Sequence, residues 1–185
     1  MVRLPDLWLY ARHHDHGERH VERYQPISAV AVGERMAGPI IASDSEMAHG
    51  YTYSGHPVAC AVAVRNIQLL DEMGLIGPRG AEAAAHFQEK LSQLNDHKIV
   101  GQTRGVGLLG ALEIVKDKKT KERFEPAGRA GMLCRGHCFD TGVVMRAVRE
   151  SMFLCPPLVI SHDEIDEMFD KVRRALDLTA ADLGV

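Results

Sequence analysis

No lysine occurs before Lys90 in this chain of 185 residues, so its first half owns no side-chain amine able to form an imine with a carbonyl compound. Cysteine is sparse. Four residues (Cys60, Cys134, Cys138, Cys155) are too few for a disulfide scaffold, and their presence as thiols points to a reduced, cytoplasmic setting. Excess positive charge is missing too. A net charge of −3 gives no footprint for nucleic acid or an anionic membrane. No apolar run approaches the ~20 residues of a membrane span, and MVRLPDLWLYARHH lacks the apolar core and small-residue cleavage site of a signal peptide. Internal repeats are absent. What remains is an ordinary globular composition, 45% hydrophobic and 25% charged, long enough for one good core in one or two small domains.

Residues 1–23 stand apart. They carry His13, His14, His16 and His20 with no clean periodicity, which reads as a metal-binding tract or as a leader whose histidines do nothing. From Tyr24 the pattern becomes coherent, and its most informative segment is His49-Gly50-Tyr51-Thr52-Tyr53-Ser54-Gly55-His56-Pro57. Pro57 suits the first turn of a helix, and Val58 to Met73 runs without glycine or proline until Gly74, a fitting residue just past a helix end. A hydroxyl-bearing loop feeding a helix N-terminus favours an anion. The same pattern also describes a surface loop before a capped helix.

HGYTYSGHPVACAVA resembles the loop of class III (omega-type) aminotransferases whose threonine binds the phosphate of pyridoxal phosphate. The resemblance extends from Tyr24 to the C-terminus. It implies Thr52 as the phosphate ligand, reaching across a homodimer interface to the neighbouring cofactor, with Tyr51 as a pocket aromatic beside it. In that family the residues before the counterpart of Tyr24 read approximately Ala-Lys-Gly-x-x-Ser-Gly and supply the Schiff-base lysine. Here Glu18 lies nearest that place, and Lys90 sits in an unrelated helical context, so no catalytic lysine is assigned. Reading the leader one nucleotide out of frame turns Met1-Val2 into Trp and Trp8 into Gly, and allows Lys from Glu18-Arg19. The leader is therefore expected to be a frameshift product of a deletion near codons 23 and 24.

Further along, Ile27 to Val32 reads as a short buried strand, and Glu34 to Ile41 as a turn or helix broken at Gly38-Pro39. The helix from Pro57 is apolar nearly all round as far as Val64 and then amphipathic, so it should start buried and finish at a surface. Gly80 to Leu94 places Ala84, Phe87, Leu91 and Leu94 on one helical face. Ile99–Arg104 and Leu108–Val115 read as strands. Between them Gly105 to Gly110 matches GxGxxG, but the strand-like ALEIV that follows argues against a dinucleotide site and favours a tight turn. Lys116 to Glu125 reads as a solvated loop. Gly128 to Thr141 is helical, with Cys134 and Cys138 one turn apart around His137, either a metal site or, far more commonly, thiols packed as small apolar groups. Val143–Met145 and Phe153–Cys155 read as strands. Ser161 and Glu164 form a capping box opening a helix with Ile165, Met168, Phe169, Val172 and Leu176 on one stripe. His49, His56, His86, His97 and His162 read as loop or surface residues.

Arg146 follows three apolar residues, so its stem should lie at the surface with a guanidinium in need of a carboxylate. That partner could be one of the chain's own acids. VVMRA followed by PPLVIS, however, resembles the class III segment whose arginine binds the carboxylate of pyruvate or an amino acid, which implies Arg146 in substrate binding. The resemblance implies an α/β chain of the pyridoxal-phosphate fold type I. Residues 24–65 form the tail of the large domain and residues 66–185 the small C-terminal domain, with helices on one side of a mostly antiparallel sheet. The implied reaction moves an amino group between an amine or omega-amino acid and pyruvate, and this chain alone is expected not to turn over. The alternatives are a non-catalytic remnant or interaction module, or a metal-binding protein using the leader histidines.

Overall fold

The computed structural model describes residues 25–29, 32–43 and 50–185. The leader with its four histidines, the frame change expected in it, and Glu18 lie outside the described residues, as do Tyr24 and His49. Two compact units divide the chain, Met1–Met73 and Gly74–Val185.

In the first unit, α1 (Glu34–Ala42) runs straight through Gly38-Pro39, where a break was expected. Proline costs this helix one backbone donor, and the short helix is closed at its far end by Ser43, whose N–H and hydroxyl both donate to the Ile40 carbonyl at 3.3 and 2.8 Å. The strand expected over Ile27 to Val32 is absent from the described residues of that run. An apolar run without a neighbouring strand has no ladder to satisfy its backbone. α2 (Pro57–Glu72) begins where Pro57 predicts and is followed by Gly74 at φ +68°. Its expected burial fails: Ala59 alone is buried, while Val58 and Val64 are each 55% exposed and Ile67 and Met73 are exposed as well. A helix apolar all round is buried only where neighbours cover it on several sides.

The second unit opens with α3 (Pro78–Gln93), which passes into a 3-10 turn at Leu94–Asp96. β1 (Val100–Val106) and β2 (Leu109–Ile114) form a hairpin in which Gly105 pairs with Gly110. Gly107 takes φ +59° at the first central position, where a two-residue hairpin turn needs positive φ, so the GxGxxG match is a tight turn. After α4 (Arg129–Thr141) come β3 (Arg146–Val148) and β4 (Ser151–Leu154), then α5 (His162–Asp182). Val143–Met145 lies outside the strands, and the ladder starts at Arg146, where pairing with Phe153 begins. The strand expected at Phe153–Cys155 begins two residues earlier and ends at Leu154.

The sheet is antiparallel throughout, in the order β1-β2-β4-β3. Cross-strand partners share a face. Leu112, Ile114, Met152 and Leu154 therefore join Phe87 and Leu91 of α3, Cys134 and Cys138 of α4, and Ile165, Phe169, Val172 and Leu176 of α5 in one core. Phe87 meets Phe169 edge-on at 5.2 Å. The helices cover this inner face. The outer face keeps Val106, Leu109, Arg146 and Val148 exposed. Ser161 and Glu164 form the capping box at the start of α5.

Candidate functional site

Thr52 lies in the turn that feeds α2. The Ser54 N–H donates to the Tyr51 carbonyl at 2.9 Å, the Tyr51 N–H returns to Ser54 Oγ at 3.0 Å, and the His56 N–H reaches the Tyr53 carbonyl at 3.3 Å. His56 Nδ1 then accepts the Ala59 N–H at 3.3 Å, so this histidine caps the helix and is no idle loop residue. These bonds fix the turn while leaving Thr52 exposed, its hydroxyl without a hydrogen bond among the described residues. Tyr51, on the same turn, is exposed too. A hydroxyl beside a helix N-terminus fits the phosphate end of pyridoxal phosphate. The aldehyde end is another matter. Lys90, the first lysine, is paired with Asp166 at 2.9 Å.

Arg146 opens β3 and faces outward opposite Phe153. The register runs on through Ala111 to Arg104, so one rung of the outer face reads Arg104-Ala111-Phe153-Arg146. The chain's own acids engage Arg65, Arg123 and Arg173 (through Glu72, Glu113 and Asp96). Arg146 has no such partner among the described residues. Thr52 belongs to the first unit and Arg146 to the second.

The inner helices carry polar contacts that sequence reading missed. His86 Nε2 lies 2.6 Å from Asp166 and stacks on His162 at 4.7 Å between ring centres, and buried His97 meets Asp177 at 3.1 Å. His97 is thus a buried residue between elements, and His86 a half-buried one that bridges α3 to α5. The signal was spacing: each pair joins residues 80 apart, which no local pattern reveals. Cys134 and Cys138 are buried, and contact with the Cys134 thiol together with burial pushes the Cys138 thiol upward. They pack as apolar groups, and among the described residues no cluster could hold a metal. All four cysteines are free thiols. No helix among the described residues is long and apolar enough to cross a membrane.

Against known proteins, residues 21–176 match the family model described as Aminotransferase class-III. A putrescine–pyruvate aminotransferase from Pseudomonas aeruginosa is 48% identical over 158 residues, covering 85% of this chain and 34% of the relative. A diaminobutyrate–2-oxoglutarate transaminase from Halomonas elongata is 33% identical over 160 residues, covering 83% and 34%. Among solved structures, a thermostable (S)-enantioselective omega-transaminase from Thermomicrobium roseum superposes with a TM-score of 0.77 at 34% identity, over 86% of this chain and 36% of that one. The chain therefore spans about a third of the length of the relatives it matches. With both the sequence match and the fold in agreement, the chain belongs to the class III aminotransferases, and its mixed helix-and-sheet architecture is that of the pyridoxal-phosphate-dependent transaminases.

Proposed function

We propose that this chain supplies the carboxylate-recognising and phosphate-contacting parts of an aminotransferase that moves an amino group between an amine, diamine or omega-amino acid and pyruvate. The observation that carries this reading is Arg146: an exposed guanidinium on the outer sheet face with no acid of the described chain to neutralise it. A planar fork accepts a carboxylate through two parallel hydrogen bonds, which orients an oxo acid as well as holding it. The putrescine–pyruvate specificity in the name of the Pseudomonas aeruginosa relative supports pyruvate and a diamine as the pair.

Thr52 would donate its hydroxyl to the cofactor phosphate, with Tyr51 beside it. Pyridoxal phosphate, when bound, supplies the electron sink for amino transfer, which no protein side chain provides. The exposure of the Thr52 turn suits a homodimer in which the turn serves the neighbouring copy's cofactor, in the cytoplasm. Because no lysine of this sequence precedes Lys90 and Lys90 is committed to Asp166, these 185 residues by themselves have no turnover.

Titration of the ¹⁵N-labelled chain with pyruvate tests the reading. Arg146 and its neighbour Phe153 should shift, and Arg146→Gln should abolish the response. Equal shifts in R146Q, or none in the parent chain, would sink the assignment. A second reading, an interaction module without catalytic part, rests on the exposed apolar side chains of α2 (Val58, Val64, Ile67). A discrete oligomer on size exclusion, with no response at Arg146, would favour it.

A further inference from the structure

β3 is three residues long and, as the last strand in the order, is paired on one side alone. So short an edge strand fixes its outward side chain weakly unless something else holds the hairpin. The structure holds it at the turn. Val148 pairs with Ser151, which makes Arg149 and Glu150 the two central residues, with Arg149 at φ +53°. Glu150 is 3% exposed, and its Oε1 accepts the N–H of Gly128, the residue capping α4. Its own carbonyl accepts the Ile114 N–H at 2.9 Å, tying the turn to β2. Gly131 completes the contact: a methyl group there would fall 1.8 Å from the Arg149 carbonyl oxygen, so α4 and the turn touch backbone to backbone.

A buried carboxylate needs a hydrogen-bond partner, and the positive end of a helix is where a negative charge is best placed. Glu150 satisfies both conditions, at a point four residues from Arg146 along a hairpin with no slack. We infer that Glu150 is a positioning residue for Arg146: by tying the β3–β4 turn to the start of α4 it fixes where the carboxylate-binding guanidinium emerges from the sheet. This rests on the proposed role of Arg146, and the Glu150 tie itself can be judged without any ligand.

The test compares Glu150→Asp, whose carboxylate is withdrawn by one methylene, with Glu150→Gln, which keeps an acceptor at Oε1. In E150D the Arg146 and Phe153 resonances should move, their cross-strand contact should weaken, and the pyruvate response should fall roughly fivefold, the upper range for an exposed ion pair. Signals of Ser161 and Glu164 should stay, and E150Q should remain near the parent chain. A lower melting temperature in E150D with the Arg146–Phe153 contact and the pyruvate response intact would mean Glu150 is only structural, and would overturn the inference. Should E150D fail to fold, hydrogen exchange in the unmodified chain decides. The Gly128 amide and the β3–β4 ladder amides should open together, and a Gly128 amide exchanging freely while the ladder stays protected would overturn it as well. If pyruvate never moves Arg146 in the parent chain, the role of Arg146 fails, while contact and exchange still judge Glu150.

Discussion

Lys90 and Asp166 form an ion pair at 2.9 Å that joins α3 to α5, and His86 Nε2 closes on the same carboxylate oxygen at 2.6 Å. The hydrogen bond that Lys90 donates to Asp166 raises the lysine's pKa above its ordinary value. That pairing commits the ammonium to a carboxylate between two helices, and Lys90 is not expected to stand in for a cofactor-binding lysine. Incubation with pyridoxal phosphate followed by borohydride should leave no lysine labelled in stoichiometric yield, as read by peptide mass spectrometry. A stoichiometric label on Lys90 would refute this.

The same contact shapes the response to acid. Lys90 first and His86 second draw the Asp166 carboxyl below its usual range, Arg173 does so for Asp96, and the Ser161 N–H and hydroxyl do so for Glu164. Carboxyls with lowered folded values contribute stability that is complete above the unfolded values, about 3.9 for Asp and 4.3 for Glu, and that is lost as pH falls through the folded ones. Melting temperature should therefore hold at mildly acidic pH and drop below about pH 4. Asp166→Asn should melt lower at neutral pH and show a shallower acid decline; parallel curves for the two proteins would remove Asp166 from the account.

Residues 74–185 carry a core of their own, built from α3, α4, α5 and the inner sheet face. Expressed alone, they should melt cooperatively at the midpoint of the whole chain and stay monodisperse on size exclusion. The whole chain, with Val58, Val64 and Ile67 exposed on α2, should associate as concentration rises. A 74–185 piece without a cooperative transition would show that its core depends on the first unit.

Within the second unit, the elements that were legible in sequence are those whose signal is local. The capping box of Ser161 and Glu164, the 3.6-residue stripe from Ile165 to Leu176, and Gly107 at a turn each state their own geometry, and all three stand in the fold. The failures share a different cause. Whether Ile27–Val32 becomes a strand, or the start of α2 becomes buried, depends on a neighbour the local pattern does not contain. Arg146 is proposed through resemblance, and its place on a rung with Phe153, Ala111 and Arg104 emerges only from register. Glu150 carried no signal of its own in the sequence, because nothing in VRES announces a carboxylate aimed at a helix end twenty-two residues earlier.

Two glycines of α4 separate local propensity from packing. Gly136 is exposed with nothing within 4 Å of where a methyl would stand, whereas at Gly131 that methyl would lie 1.8 Å from the Arg149 carbonyl oxygen. In a helix interior alanine is better than glycine by about 0.5–1 kcal/mol, since glycine loses more backbone freedom on folding. Gly136→Ala should gain that amount. Gly131→Ala gains it too but must push backbone against backbone, and overpacking of this kind costs about 1–3 kcal/mol, so the net change should be destabilising. Urea unfolding at unchanged slope measures both. If the two variants move the midpoint in the same direction, α4 does not press on the β3–β4 turn as closely as the structure has it, and the anchoring of Arg146 through that turn loses its mechanical basis.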